Sequence, residues 1–211
     1  MHPYTPNPPS STVHIVDDDA AVCRSIGLLM RAAGLQTRTY TSAGEFLRGY
    51  RPDGPACLIL DVRMPDMNGL ELQAELAKQG IALPIIMISG QADIPMAVSA
   101  IRQGAMDFVE KPFPRGHMLE LVTRALAKDQ AEHVWLKRCA EVKQHMHELT
   151  RREHSVLQGL LQGKQNKQVA AQLGISTRTV EAHRAHILRK LGLRSLSVLL
   201  GMPLHDLEQQ E

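Results

Sequence analysis

The fold of this chain is decided by the run Cys57-Leu58-Ile59-Leu60-Asp61-Val62-Arg63-Met64-Pro65-Asp66-Met67-Asn68-Gly69. Four apolar residues are followed at once by an acid and then by turn-forming residues. With a helical pattern beginning at Leu70, such a run is typical of a strand buried on both faces. Asp61 would then end that strand. Because burying a carboxylate costs free energy, we expect this acid to have a function.

Composition excludes several classes of protein. The 211 residues, 44% hydrophobic and 22% charged, are enough for one large domain and one small one. No stretch reaches the roughly 18 apolar residues of a membrane helix, and the N-terminus lacks a signal-peptide profile. We therefore expect a cytoplasmic protein with no membrane partner. The odd number of cysteines, three, without a CxxC pair, predicts reduced and mostly buried thiols.

Charge is distributed unevenly along the chain. Residues 1–125 contain 11 Lys and Arg against 13 Asp and Glu, whereas residues 149–194 contain 9 against 2. A basic segment of this kind is either a solvated surface or a nucleic-acid interface.

Residues 1–12 are rich in proline and small polar residues, which predicts a disordered tail. From Val13 to about residue 127, five short apolar runs alternate with five helical patterns. That alternation predicts an α/β domain, a doubly wound five-stranded parallel sheet of the flavodoxin-like type. The helical pattern then continues past an ordinary closing helix, which predicts a helical linker over residues 128–147.

Polar residues follow the apolar runs where the strands are expected to end. They are Asp17 and Asp18, Asp61, Ser89 and Lys111. Ligands of such sheets bind outside the carboxyl ends of the strands, so these side chains should meet in one crevice. Clustered carboxylates repel one another unless a cation joins them, and few hard oxygen ligands suit Mg²⁺. With Lys111 and Ser89 placed to bind phosphoryl oxygens, the pattern indicates phosphoryl transfer to Asp61 as nucleophile.

Each of these residues also has a simpler interpretation. Asp17 and Asp19 are favoured as helix caps, and for Asp19 we adopt that interpretation. Ser89 alone would pass as a turn residue and Lys111 as a solvated charge. Phe108 is either core or a rotamer switch linked to Ser89. The bond between Lys111 and Pro112 is a candidate cis peptide that would direct the ammonium into the crevice.

The polar residues at the predicted strand ends resemble those of the receiver domain of bacterial two-component response regulators, specifically the FixJ-like branch. The same resemblance extends over the run Gly104-Ala105-Met106-Asp107-Phe108-Val109-Glu110-Lys111-Pro112-Phe113. The resemblance covers residues 13 to 127. It implies that Asp61 accepts phosphate from a sensor histidine kinase. It further implies that Mg²⁺ is bound by Asp18, Asp61 and the backbone carbonyl of Arg63, with Asp17 acting through water. Ser89 and Phe108 would respond to phosphorylation of Asp61. Gln91 stands where relatives often have His.

Residues 148–211 contain the signals of a second, all-α domain. Thr150 and Glu153 form a capping box before a helix that stops at Gly163. A short helix from Lys167 closes at Gly174, and Ser176 caps a third helix. Two short helices joined by a glycine-containing turn predict a helix-turn-helix.

The third helix has two distinct faces. One carries Val180, Ile187, Leu188 and Leu191, and the opposite one carries Arg178, Glu181, Ala182, Ala185 and Arg189. Alanines on an exposed face allow close approach to a DNA groove, where Glu181 would accept from cytosine and Arg178 would bind guanine or phosphate. Phosphate contacts are predicted for the flanking residues Thr179, His183 and Lys190 and for Lys167 on the preceding helix. The alternative is an ordinary solvated surface.

This segment resembles the LuxR/NarL-type DNA-binding domain. Together the two resemblances imply a transcription regulator whose phosphorylated form binds promoter DNA as a homodimer and contacts RNA polymerase, and which is not an enzyme. Two rival hypotheses remain. One is a DNA-binding regulator whose receiver acts through protein contacts without phosphorylation. The other is a Mg²⁺-dependent phosphohydrolase, although Arg63 stands where such an enzyme would need a second acid.

Overall fold

The structure is a computed structural model that describes residues 11–91 and 93–202. Contacts divide the chain into two units, Met1–His133 and Val134–Glu211. No helix within the described ranges is both long enough and apolar enough to cross a membrane.

The first unit is built on a parallel sheet whose strands alternate with helices. The strands are β1 (Thr12–Val16), β2 (Gln36–Tyr40), β3 (Ala56–Asp61), β4 (Ile85–Ser89) and β5 (Asp107–Glu110). The helices between and after them are α1 (Ala20–Ala32), α2 (Ala43–Gly49), α3 (Gly69–Lys78), α4 (Ile94–Arg102) and α5 (Arg115–Met146). The strand order is β2-β1-β3-β4-β5, and every pairing is parallel. The predicted doubly wound sheet is confirmed.

The central strand β3 is buried along its whole length because helices cover both faces of the sheet. Cys57 and Ile59 pack into a core with Met30 of α1 and Met118 of α5. Leu58 and Leu60, pointing the other way, join a second core with residues of α2, α3 and α4. The continuous apolar run of the sequence thus serves two cores, and Asp61 ends it at the rim of the sheet.

Positions 1–10 of the predicted tail lie outside the described residues. The predicted end of the tail at residue 12 is wrong. Thr12 already belongs to β1, where it pairs with Gln36 and Ala56, and its N–H donates to the carbonyl of Pro55 at 3.0 Å. A polar residue can begin a strand because pairing uses the backbone, which the apolar pattern does not report.

The boundaries of the predicted linker also differ from what the structure shows. Helix α5 is continuous, and its Asp129 carboxylate accepts a hydrogen bond of 2.8 Å from the N–H of Ala56, which begins β3. Asp129 therefore belongs to the first unit, whose boundary falls after His133. Further along α5, Val142 and Met146 are buried in the core of the second unit.

The second unit packs four helices and the end of α5 around one core. They are α6 (Arg151–Leu161), α7 (Asn166–Leu173), α8 (Thr177–Lys190) and the short α9 (Ser197–Leu200). Thr150 and Glu153 form the expected capping box. Gly174 closes α7 in the left-handed conformation at φ +63°, which makes the tight turn into α8. Three residues of the stripe predicted to be buried on α8, Val180, Ile187 and Leu191, lie in the core, and Leu188 is partly buried against it.

Candidate functional site

Three charged side chains from the carboxyl ends of separate strands meet at one point. Asp17 follows β1, Asp61 ends β3 and Lys111 follows β5. The Lys111 ammonium donates to Asp17 Oδ2 at 2.5 Å and to Asp61 Oδ1 at 2.6 Å. These residues are up to 94 positions apart in the sequence. Their meeting places the cluster beside the point where strand order reverses, between β1 and β3, as expected for a ligand crevice.

Both carboxylates are almost completely buried, with 1% of Asp17 and 4% of Asp61 exposed. Burial raises the pKa of Asp61 and the charge of Asp17 raises it further, while Lys111 acts in the opposite direction. Burial lowers the pKa of Lys111, but its hydrogen bonds to the two acids outweigh this and raise it. One ammonium therefore faces two carboxylates, and the cluster carries an excess of negative charge that favours a further cation.

The loop after β3 contacts the Asp61 carboxylate and is closed by a backbone hydrogen bond. The N–H of Arg63 donates to Asp61 Oδ2 at 2.7 Å, and the N–H of Gly69 donates to the carbonyl of Val62 at 2.9 Å. Asn68 and Glu71 form a capping box that begins α3 directly after this loop. Asp66 at the tip has φ +66°, a left-handed conformation that Asp tolerates better than most residues.

Asp18 does not join the other acids. It is exposed and lines an open cleft of about 460 Å³ together with Arg63, Met64 and Met96. Among the described residues, no group of three His, Cys, Asp or Glu side chains is arranged to hold a metal ion. Asp19 caps α1, its carboxylate accepting from the N–H of Ala21 at 2.7 Å, which confirms the cap interpretation.

Ser89 ends β4 and is completely buried. Its hydroxyl donates to the carbonyl of Gln91 at 3.1 Å and accepts from the N–H of the same residue, so it is engaged with its own loop. The side-chain oxygen of Gln91 accepts from the Arg63 guanidinium, which links this loop to the one after β3. Phe108 is partly buried against the core on the α3 and α4 side of the sheet. The bond between Lys111 and Pro112 is cis, as anticipated.

The face of α8 predicted to meet DNA is open to solvent. Arg178, Glu181, Ala182, Ala185 and Arg189 are all exposed, as is Lys167 near the start of α7, while His183 is half-buried. Sequence reasoning missed two further exposed side chains, Arg184 and His186. His186 was detectable because it lies four residues after Ala182 and so shares its face.

Two of the predicted phosphate-binding residues are hydrogen-bonded within the unit. Thr179 pairs its hydroxyl with that of the capping Ser176 at 2.8 Å. The Lys190 ammonium donates to Glu153 Oε2 at 2.7 Å and to the carbonyl of Glu148 at 3.1 Å. Helical periodicity placed both residues beside the exposed face, but it does not report a polar partner on another element.

Comparison with known proteins identifies the family. The family model of the response regulator receiver domain matches residues 13–123, and that of the luxR family of bacterial regulatory proteins matches residues 147–202. The chain belongs to the two-component response regulators.

Relatives match this response regulator over both parts of the chain. The response regulator protein TodT of Pseudomonas putida strain F1 is 42% identical over 191 residues, covering 90% of this chain and 84% of TodT. The transcriptional regulatory protein FixJ of Azorhizobium caulinodans is 39% identical over 197 residues, 93% of either chain. The response regulator thus has the receiver and DNA-binding domains of transcription regulators.

Solved structures agree with this assignment. The response regulator StyR aligns with a TM-score of 0.71 and 39% identity, covering 90% of this response regulator and 96% of StyR. Full-length FixJ of B. japonicum aligns with a TM-score of 0.55 and 32% identity, covering 90% and 94%. The predicted receiver fold followed by a helical DNA-binding domain is confirmed.

Proposed function

We propose that Asp61 is the phosphoacceptor of this response regulator and that its phosphorylation controls binding of α8 to promoter DNA. The observation that carries this proposal is the Lys111 ammonium held between the buried carboxylates of Asp17 and Asp61. A buried acid at the open end of a strand, with a cation beside it, is arranged as a nucleophile for a phosphoryl group.

The donor is a phosphohistidine of a sensor histidine kinase. An oxygen of Asp61 bonds to phosphorus as the bond between phosphorus and the imidazole nitrogen breaks, so the kinase recovers a neutral histidine after proton uptake. The product is an acyl phosphate on Asp61. Lys111 is within reach of the new phosphoryl oxygens, and Ser89 would donate to one of them after leaving Gln91.

A Mg²⁺ ion needs only one or two carboxylates, because water molecules complete its coordination, and the residues present fit that requirement without a cluster of three acids. Asp17 and Asp61 share a single ammonium, Asp18 lines the adjoining cleft, and all three offer hard oxygen ligands. We assign the ligand set to Asp18, Asp61 and the backbone carbonyl of Arg63, with Asp17 acting through water. When bound, the ion supplies charge neutralisation for the transferring phosphoryl group.

Phosphorylation in solution tests the proposal that Asp61 is the phosphoacceptor and that its phosphorylation controls DNA binding. Purified protein is incubated with acetyl phosphate and Mg²⁺, and the mass of the intact chain is measured together with its affinity for promoter fragments. The wild type should gain one phosphoryl group and bind DNA more tightly, and Asp61→Asn should do neither. Asp66→Asn is a matched control because Asp66 is exposed in the same loop and Asn also tolerates φ +66°. Tighter DNA binding by treated Asp61→Asn would refute the proposal and favour a receiver that acts without phosphorylation.

The phosphorylated form is proposed to be a homodimer joined through α4 and β5. Support comes from the apolar surface of α4, on which Ile94 is 81%, Ile101 47% and Val98 44% exposed. Apolar side chains grouped on one helix face favour burial against a partner. The dimer would present two DNA-binding domains to a promoter, where RNA polymerase is a further expected partner.

Sedimentation of phosphorylated protein tests the dimer. Ile101→Glu should keep the protein monomeric after phosphorylation because a charge would be buried in the interface. Leu28→Glu is the control, since Leu28 is 63% exposed on α1, whose buried residues belong to the other core of the sheet from that of α4. Equal dimerisation of both variants would contradict this interface.

A further inference from the structure

An ion pair in the second unit joins the end of the proposed recognition helix α8 to the start of α6. Glu153 is only 4% exposed. Charged side chains are rarely buried without a partner, so its contacts identify what stabilises it there. Its Oε2 accepts from the Lys190 ammonium at 2.7 Å, from the N–H of Thr150 at 2.8 Å and from the Thr150 hydroxyl at 3.0 Å. The same ammonium also donates to the carbonyl of Glu148.

The interaction therefore connects three parts of this unit. Lys190 is the last residue of α8, Thr150 and Glu153 begin α6, and Glu148 lies in the segment between α5 and α6. A cation at the C-terminus of a helix and an anion at the N-terminus of another are each favoured by the helix dipoles. Burial raises the pKa of Glu153, but the hydrogen bonds from Lys190 and Thr150 outweigh this and lower it to about 2.

We propose that Lys190 is a positioning residue that fixes the orientation of α8 through Glu153, and that it does not bind DNA phosphate. This proposal rests on the proposed role of α8 in DNA recognition. The rest of α8 is held by apolar side chains such as Val180 and Ile187, which resist separation but are less directional than an ion pair. The pair with Glu153 supplies a directional restraint at the C-terminal end of the helix.

A consequence concerns the charge available to DNA. Three basic residues between positions 149 and 194 have internal partners. Arg152 donates to the carbonyl of Leu173 at 2.6 Å, Lys164 donates to the side-chain oxygen of Gln172 at 2.8 Å, and Lys190 is paired with Glu153. Binding of phosphate should therefore come from the exposed basic residues without an internal partner among those the structure describes, which include Lys167, Arg178, Arg184 and Arg189.

The salt dependence of binding separates a phosphate-binding residue from a positioning residue. The slope of log K against log salt is negative, and removing a side chain that neutralises one phosphate reduces its magnitude by about 0.9. A misplaced helix lowers the affinity for the specific sequence without changing this slope. The probe is a labelled DNA duplex selected by the wild-type protein from a random-sequence pool. Full-length phosphorylated protein is titrated into the duplex at several salt concentrations between about 50 and 200 mM. The temperature is kept well below that at which the protein unfolds.

The expected result is that Lys190→Met and Glu153→Gln each weaken binding several-fold and leave the slope unchanged. Arg189→Met is the matched control on the same turn of α8 and should lower the magnitude of the negative slope by about 0.9. Lys190→Arg, which keeps the charge, should recover part of the affinity. A duplex of random sequence should be bound almost equally by the wild type and Lys190→Met.

Three results would overturn the proposal. In the first, Lys190→Met lowers the magnitude of the slope as Arg189→Met does. In the second, folded Lys190→Met binds with wild-type affinity, so the pair only stabilises the fold. If either single variant fails to fold, the double variant Glu153→Met with Lys190→Met replaces the ion pair by apolar residues, which proteins often tolerate. Wild-type affinity in that folded double variant is the third contradicting result. Failure of the proposed function is distinguishable, since even Arg189→Met and Arg178→Met would then leave binding unaffected.

Discussion

Gly69, the first residue of α3, packs directly against the backbone carbonyl of Asp61. A Cβ built on Gly69 would lie less than 3.0 Å from that oxygen, a separation that real side chains do not show. The strand that ends in Asp61 and the following helix therefore approach each other more closely than any residue except glycine allows.

Gly69→Ala should consequently displace Asp61 and abolish phosphorylation. We expect the receiver to lose about 2 kcal/mol or more in free energy of unfolding, because the obstacle is backbone and cannot rotate away. Gly116→Ala in α5 is the control, since nothing lies within 4 Å of its added Cβ. Denaturant unfolding and phosphate incorporation are the measurements, and equal behaviour of the two variants would contradict this account.

Removing one of the two buried acids should stabilise the receiver while destroying its function. In Mg²⁺-free buffer, Asp61→Asn is expected to raise the free energy of unfolding by about 1 kcal/mol, because Lys111 then faces a single carboxylate. Added Mg²⁺ should stabilise the wild type through binding to the folded state and should have little effect on Asp61→Asn.

Asp19→Asn provides the comparison for this experiment. Asp19 caps α1 close to the cluster, and Asn caps as well as Asp. Its thermal stability should follow that of the wild type both with and without Mg²⁺. A Mg²⁺ response retained in Asp61→Asn would show that Asp61 is not a ligand.

The buried His14 should make the receiver sensitive to mild acid. Burial, together with the Arg38 guanidinium and against the opposing charge of Asp53, lowers its pKa to about 4. Its ring stacks on Tyr40, and Nδ1 lies 3.2 Å from the Tyr40 hydroxyl. The unfolded chain takes up a proton near the ordinary value of 6.5 and the folded chain only near 4, so stability present above pH 6.5 is lost as the pH falls between these values.

His14→Phe retains an aromatic ring between Phe46 and Tyr50 but cannot be protonated. Its free energy of unfolding should vary less than that of the wild type between pH 6.5 and 4, with the difference reaching roughly 3 kcal/mol at the acid end. Urea unfolding at several pH values measures this. Parallel curves for the two proteins would rule out His14 as the source.

A buried glutamine between α3 and α4 offers a route to stabilisation. Gln73 is 3% exposed and donates to the carbonyl of Ala100 at 3.2 Å, while its Oε1 has no partner among the described residues. The Ala100 carbonyl also accepts from the N–H of Ala105 at 3.0 Å and would stay satisfied without Gln73. Because an unpaired buried acceptor costs about 1 to 3 kcal/mol, Gln73→Leu should raise the melting temperature of the receiver.

Gln73→Glu tests the same site from the opposite direction. It keeps the size of the side chain but would bury a charge without a partner, and it should lower the melting temperature. A lower melting temperature for Gln73→Leu would show that the bond to Ala100 outweighs the unpaired oxygen.

The three thiols should differ in reactivity. Burial raises the pKa of Cys23 to about 11 and raises that of Cys57 still further, and both are inaccessible. Cys139 is partly exposed on α5. Alkylation of native protein followed by peptide mass mapping should therefore label Cys139 first, and all three only after unfolding. Early labelling of Cys57 would indicate that β3 opens in the native state.

The order of strands and helices along the chain, the capping residues and the polar residues at the strand ends could all be predicted from the sequence alone. These features depend on periodicity, turn-forming residues and the parallel arrangement of strands, which are local or follow from general rules of topology. Asp61 at the end of β3, the box of Thr150 and Glu153 and the exposed stripe of α8 were all predictable in this way.

Which polar side chains become partners could be seen only in the folded structure. The wheel of α8 placed Lys190 beside the DNA face, but its ammonium reaches Glu153, 37 residues earlier in the chain. Asp129 was predicted to lie in the linker because the helical pattern continues there. Its carboxylate accepts from the N–H of Ala56, 73 residues away. Asp17 and Asp61 meet through Lys111, while Asp18, adjacent to Asp17, remains exposed. The physical reason is that hydrogen bonds and ion pairs depend on distances of about 3 Å between atoms, which the packing of separate elements sets.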